Sequence, residues 1–360
     1  MTTMIKQNRK LIIIIILVLL NVTSMFFYNN VNHVFANDNS AEIIMEVNTN
    51  RILHEKNISA KKYMASTTKI LTAIIIIEKC NLNEIVTVTE KSVGIEGSSI
   101  YLEVGEKLTV KDLLYGLMLR SGNDCAETLA LHCSGSIKNF ALLMNEKAKE
   151  IGAKSSNFVN PHGLHNDNHY TTAYDLALIS CYAIKNQTFK EIVLTKSVKI
   201  PFSTRDYDRH IKNKNKMLNE FDGATGIKTG FTKKAGRCLV TSCTRNGLEL
   251  VCAVLNCPPM FEKSKELLTN CFSNYISYKL VNSENIIDFI ENELDEKTVA
   301  IHVKKDIILP LKKEEKEQIT IEYDYPKKQK LSNEFEEEIG LIKIYCKNNL
   351  IFTEKIYTII

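Results

Sequence analysis

Apolar positions along this 360-residue chain fall into three textures. The first is a dense block, Leu11 to Leu20, directly behind Lys6, Arg9 and Lys10. The second, from about Ala41 to Leu280, mixes strand-like alternation with helical periodicity. The third, from Val281 onward, alternates apolar and polar residues in short runs between Lys/Glu clusters.

Within the second texture, Ala41 to Asn57 reads as a hairpin turning at Asn48-Thr49-Asn50. Ile70 to Ile77 is apolar at nearly every position and predicts a helix buried on most sides. Short strands are expected at Ile85–Thr89 and at Leu108-Thr109-Val110. Thr109 is placed to cap a helix beginning near Lys111 and ending around Arg120. Ser121-Gly122-Asn123-Asp124 breaks that helix, and new helical patterns run from Cys125 to His132 and from Ile137 to Ile151, the latter stopping at Gly152. Asn160-Pro161-His162-Gly163 is a turn, and Thr171-Thr172 caps a helix through Ile179. Lys190 to Tyr207 has no clear period. Asn213 to Gly226 is polar and turn-rich and is expected to lie over a surface.

Strand patterns follow at Ile227–Thr232, Arg237–Thr244 and Leu250–Leu255, with Asn246-Gly247 supplying a type I′ hairpin. Phe261 to Leu280 reads as a closing helix. The first hairpin and these three strands predict an α+β fold, one antiparallel five-stranded sheet sandwiched by helices. Beyond it, strands at Val299–Val303, Ile307–Leu309 and Ile319–Tyr323, and a last hairpin turning at Asn348-Asn349, predict a small C-terminal all-β domain. The expected division is therefore a leader over 1–36, a main domain over 37–280 and a β-rich domain over 281–360.

The leader has the build of an export signal: a basic start, an apolar core and Val34-Phe35-Ala36 before Asn37. Cleavage after Ala36 is the favoured reading. The alternative is an uncleaved anchor lengthened by Met25-Phe26-Phe27, although Asn21, Thr23 and Ser24 interrupt a span of the ~20 apolar residues that crossing needs. Either way the bulk of the chain is expected outside the cytoplasm. A net charge of +4, partly in that leader, is too mild to argue for nucleic acid. The chain has ten cysteines but no Cys-x-x-Cys pair, and most fall in apolar strands or helices, so they read as small hydrophobes rather than disulfides or zinc ligands.

Candidate chemistry begins at Ser66-Thr67-Thr68-Lys69. Ser66 would open the buried helix, and Lys69, three residues on, would share its face. A neutral amine there can take the hydroxyl proton, which makes an activated serine nucleophile. Ser-x-x-Lys alone is weak, and Ser59-Ala60-Lys61-Lys62 is a decoy in a polar stretch; Ser66 by itself would read as a helix cap. Two further elements change the balance: Ser121-Gly122-Asn123 at a helix junction and Lys228-Thr229-Gly230 on a strand. The ordered trio is the set of serine β-lactam-recognising enzymes. His162, His165 and His169 invite a metal, but they lie in a loop without a helical i, i+4 pair, so no metal or other cofactor is expected. Arg237 could add positive field near the site or serve the fold.

Asn160-Pro161-His162-Gly163-Leu164, His169 to Asp175 and Gly226 to Thr232 extend the likeness. Residues 40–280 resemble the low-molecular-weight penicillin-binding proteins, specifically the serine-type D-alanyl-D-alanine carboxypeptidases of the S11 peptidase type. The resemblance implies Ser66 as acyl-ester nucleophile, Lys69 as proton acceptor kept neutral beside Lys228, and Ser121 as proton relay. It implies Asn123, Lys228, Thr229 and Gly230 as substrate-binding residues, and the backbone N–H groups of Ser66 and Phe231 as oxyanion hole. Its implied partners are peptidoglycan stem peptides ending in D-Ala-D-Ala, and β-lactams. His162 and His169 would support the fold. The rivals are a class A β-lactamase, disfavoured because no Glu-x-x-Leu-Asn lies between Ser121 and Lys228, and an inactive wall-binding homologue. Many relatives end in an amphipathic helix on the membrane; here Phe352 to Ile360 alternates like a strand, which argues against C-terminal attachment and leaves a released protein, one held by an uncleaved leader, or peripheral membrane contact as the alternatives.

Overall fold

The structure is a computed structural model that describes residues 39–332 and 335–359. The expected leader and its cleavage point at Ala36 lie outside the described residues. The sheet forms as expected. Strands Ala41–Glu46 and Ile52–Lys56 make the first hairpin; Ala224–Thr232, Gly236–Arg245 and Leu248–Leu255 make the late meander. The two join where Ala41–Glu46 pairs antiparallel with Leu248–Leu255, from Ala41 opposite Leu255 to Glu46 opposite Leu250. The Ile52–Lys56 and Ala224–Thr232 strands form the two edges.

Every residue of the Ala41–Glu46 strand is buried because both faces of the sheet are covered. Side chains alternate across a strand. Ile43 and Met45 therefore enter one core with the Lys69–Lys79 helix, while Ile44 enters another under the Met260–Asn274 helix. The Lys69–Lys79 helix is central: Lys69 through Ile76 are all buried, as the apolar run predicts. Around it stand helices Val110–Leu119, Asn123–Ser134, Ile137–Ile151 and Ala173–Ile184. Thr109 caps the first of these in a reciprocal box with Asp112, and Gly152 ends the third at φ 98°.

Several expectations fail in detail. The closing helix stops at Asn274, and Ile276–Val281 is a strand paired with Ile307–Leu311. The β-branched and aromatic run Tyr275-Ile276-Ser277-Tyr278 wins over helical period there. The unclear segment from Lys190 resolves into a helix Gln187–Leu194, capped by Asn186, and a hairpin of Ser197–Ile200 with Arg209–Lys212. Asn213 to Gly226 is not merely a surface cover: its own Asn215 and Met217 are buried. In the C-terminal part the strand Asp288–Asn292 went unforeseen, and the last hairpin turns at Lys347-Asn348, both at positive φ. Six strands make that sheet around a third core of Ile290, Ile301, Ile342, Ile344 and Ile356. Arg51 reaches from the first hairpin to the Pro310 carbonyl and, at 2.8 Å, to Glu315. Among the described residues no helix is long and apolar enough to cross a membrane.

Candidate active site

Ser66 does not start the α-helix. It sits in a 3-10 turn, Ala65–Thr68, and Lys69 opens the α-helix behind it. Ala65 holds φ 48°, an uncommon conformation for a residue with a side chain, so the hydroxyl is presented from a strained turn. Three contacts hold that turn. Thr68 Oγ1 donates to the Ala65 carbonyl at 2.8 Å. Gly163, at φ 88°, lies against the same carbonyl so closely that a Cβ would collide with it. Gly230 packs on the other side, where a Cβ would stand 3.2 Å from the Ser66 nitrogen. The strand bearing Lys228-Thr229-Gly230 therefore lies flush against the Ser66 backbone, with Phe231 exposed at its end and the Arg237 guanidinium 5.4 Å over the Phe231 ring.

Lys69 is fully buried. Its Nζ donates to Asn123 Oδ1 at 2.6 Å and to the His162 carbonyl at 2.7 Å, and lies 3.2 Å from Ser66 Oγ. Burial first, and then the charge of Lys228, holds this amine well below the usual lysine range. Lys228 is itself 1% exposed; burial, then Lys214, pushes it down to about 7. Its Nζ donates to the Thr229 carbonyl at 3.0 Å. Asn123 begins the Asn123–Ser134 helix, and its amide is used at both ends, since Nδ2 donates to the Glu96 carbonyl. It is thus fixed as a holder of Lys69 as well as a candidate for contact with substrate.

Ser121 is nearly buried and strained at φ 67°. Its hydroxyl is not among the hydrogen-bond partners of Lys69, which are Ser66, Asn123 and His162. The expected residues Ser66, Lys69, Asn123, Lys228 and Gly230 meet in one place.

The histidines do separate work. Leu164 N–H donates to His162 Nδ1, so Nε2 carries the proton and donates to Glu127 at 3.0 Å. Likewise Val159 N–H donates to His169 Nδ1, and His169 Nε2 donates to Thr68 Oγ1 at 2.8 Å. Burial pushes His169 down to about 3 and lowers His162 as well; as neutral rings, His169 supports the serine turn through Thr68 and His162 ties its own loop to Glu127. His165 instead packs edge-on against Tyr63. Among the described residues no group of three His, Cys, Asp or Glu could hold a metal.

Sequence reasoning missed Lys214. Its Nζ donates to Ser98 Oγ at 3.1 Å, and its charge lowers both Lys69 and Lys228. It lies in the polar stretch that carries no periodicity, and only the fold brings it to the site. Also missed was the rim loop around Ser99–Leu102, which Asp124 binds through Ser99 Oγ and the Ile100 and Leu102 N–H groups. Arg209 ties the outside of that loop by its pair with buried Glu106 and bonds to the Ile100 and Tyr101 carbonyls.

Residues 29–258 match the family described as D-alanyl-D-alanine carboxypeptidase, and residues 290–359 match the C-terminal domain of penicillin-binding protein 5. The D-alanyl-D-alanine carboxypeptidase DacF of Bacillus subtilis is 32% identical over 253 residues, 68% of this chain and 65% of that protein. DacA of Haemophilus influenzae is 32% identical over 257 residues, 67% of this chain and 63% of that protein. The match thus spans slightly less than two thirds of either relative. Among solved structures, penicillin binding protein 5 of Haemophilus influenzae superposes with a TM-score of 0.77 at 26% identity, covering 89% of this chain and 96% of that one. A mutant of the Streptomyces K15 DD-transpeptidase gives 0.62 at 32% identity, covering 65% and 97%.

Proposed function

The chain belongs to the D-alanyl-D-alanine carboxypeptidase family, and from that premise we propose that it is a serine carboxypeptidase that removes the terminal D-alanine from peptidoglycan stem peptides. The observation that carries this reading is the set of partners around Lys69. Asn123 Oδ1 and the His162 carbonyl can only accept. A neutral amine has two N–H bonds and one lone pair. Both N–H bonds go to those acceptors, and the lone pair is left facing Ser66 Oγ at 3.2 Å. The surroundings that keep Lys69 uncharged therefore also aim it as a base.

The steps follow. A C-terminal D-alanine is an anion, and Lys228 with Thr229 at the strand beside Ser66 offers the cation and hydroxyl to bind it. Lys214 and Arg237 add positive charge around it. Bound carboxylate would favour the charged form of Lys228, which in turn would hold Lys69 more firmly neutral. Ser66 Oγ gives its proton to Lys69 and attacks the carbonyl between the two D-alanines. The Ser66 and Phe231 N–H groups receive the developing oxyanion, and Gly230 is the residue that lets the two backbones stand close enough to share it. The proton passes to the departing amine, and Ser121 is the hydroxyl assigned to relay it by likeness to the family. Water then releases the acyl group from Ser66.

No metal or organic cofactor enters this scheme. Its place is outside the cytoplasm, directed by residues 1–36, with the boundary between catalytic and β-rich domains at about residue 275, where the Met260–Asn274 helix ends and Ile276–Val281 pairs with Ile307–Leu311. Release of D-alanine from a synthetic pentapeptide tests the proposal, with Ser66→Ala and Lys69→Ala as controls. Near-complete loss is expected in both; unchanged release from either variant removes that residue from its role. Labelled penicillin should leave a lasting adduct on Ser66, whereas fast turnover would mark a β-lactamase and no adduct an inactive binder.

A further inference from the structure

The direction of the substrate follows from the proposed reaction, on which this inference rests. Lys228 and Thr229 take the terminal carboxylate, and the Phe231 N–H takes the scissile carbonyl. Both anchors lie on the Ala224–Thr232 strand, an edge of the five-stranded sheet that can pair with an extended peptide. The carboxyl end of the substrate therefore points back toward Lys228, and its amino end runs on past Phe231. In an antiparallel pair each residue has one opposite it. The acyl D-alanine then lies opposite Phe231, the residue before it opposite Thr232, and the one before that opposite Lys233.

That end of the strand holds cations and no acids. From Gly223 to Leu248 the chain has no Asp or Glu. Lys233 and Lys234 are exposed in the turn after Thr232, which is held where Ala235 N–H donates to Thr232 Oγ1 at 3.0 Å. Arg237 stands directly opposite Phe231 in the next strand and is exposed as well. Its guanidinium lies 5.4 Å over a ring that is itself 60% exposed. Stacking orients the guanidinium and leaves its edge N–H groups open to a planar acceptor. Arg205, Arg209 and Lys265 each have a carboxylate partner. Lys233, Lys234 and Arg237 have none among the described residues.

We propose that Lys233, Lys234 and Arg237 form an anion subsite for a free carboxylate on the amino side of the scissile D-alanine, so that the site prefers stem peptides carrying that carboxylate to those in which it is amidated.

Two groups of a stem peptide have this chemistry. One is the α-carboxylate of a γ-linked glutamate, in the residue opposite Lys233. The other is the side-chain carboxylate of a diamino dicarboxylic acid opposite Thr232, on a side chain long enough to reach the turn. Amidation removes the charge from either and leaves the shape nearly unchanged.

The test uses the full chain and three synthetic peptides built as γ-D-Glu-diaminopimelate-D-Ala-D-Ala. One has both upstream carboxylates free, one is amidated on the glutamate, and one on the diaminopimelate side chain. D-alanine release gives kcat/KM for each. Amidation at one of the two positions should lower kcat/KM by about tenfold, which also identifies the source. The double variant Lys233→Gln, Lys234→Gln and the single variant Arg237→Gln should each shrink that ratio to about threefold or less, and Arg237→Lys should keep more of it than Arg237→Gln. Equal rates on all three peptides in the wild type overturn the subsite and leave the peptidase reading standing. A ratio that survives Arg237→Gln while all three peptides slow together assigns Arg237 to the terminal carboxylate and overturns its place here. No release from any peptide overturns the peptidase reading and this inference with it.

Discussion

Replacing Asn123 by aspartate changes one amide nitrogen for an oxygen and leaves shape almost untouched, yet it should silence the base. Asn123 Oδ1 stands 2.6 Å from Lys69 Nζ. At an effective dielectric of about 20, a carboxylate at that distance favours the charged amine by about 6 kcal/mol. Desolvation of the new carboxylate opposes this; even if it removes half, about 3 kcal/mol remains, a shift of about a hundredfold in the ratio of charged to neutral amine. The aspartate also cannot donate to the Glu96 carbonyl, so that acceptor loses its partner. The assay is the rate of acylation by a fluorescent penicillin between pH 5 and 10, with melting as a check on folding. At neutral pH Asn123→Asp should react more slowly, by up to about a hundredfold, and its rate should climb with pH as the amine gives up its proton. A variant equally slow at every pH would mean that Asn123 serves by position alone. One that reacts at the wild-type rate would refute the neutral-amine argument altogether.

Two other outcomes are expected. Gly163→Ala forces a Cβ onto the Ala65 carbonyl at a φ of 88°, so it should cost about 2–4 kcal/mol in urea unfolding and slow acylation by displacing the Ser66 turn; wild-type values in both would show that the turn yields freely. His169 titrates at about 3 when folded, against 6.5 in an open chain, so between those values the unfolded state binds the extra proton and stability rises with pH. Lowering the pH from 6.5 to 5.0 should therefore remove about 2 kcal/mol through this ring, and His169→Gln should lose less than wild type over that interval; equal losses would place the pH dependence elsewhere.

What could be read in the sequence was whatever depends on local pattern. The Ile70–Ile77 run, the Thr109 cap, the Gly152 stop and the Asn246-Gly247 turn each carry their own structural instruction, and each forms where expected. The three motif segments could be paired as chemistry because their residue types are unusual together. Long-range determinants were hidden. Nothing local tells that Gly163 must leave room for Ala65, that the His162 carbonyl holds Lys69, or that Lys214 completes the cationic cluster. The hairpin of Ser197–Ile200 with Arg209–Lys212 was obscure because its strands are four residues each and much of their surface is polar. The end of the Met260–Asn274 helix was misplaced since helical and strand periods overlap in Tyr275–Leu280, and only pairing with Ile307–Leu311 decides between them.

Eight of the ten cysteines are buried, and these sequestered sulfhydryls bear on how durable this molecule is. While the cores stay shut, packing shields them from air and oxidants, and they behave as inert filler. Each excursion that opens a core exposes several at once on one chain, where they can form wrong cross-links that trap it open. Without a reductant, loss of the native state becomes a one-way process governed by how often the cores open, so its endurance is set by a lifetime and not by an equilibrium.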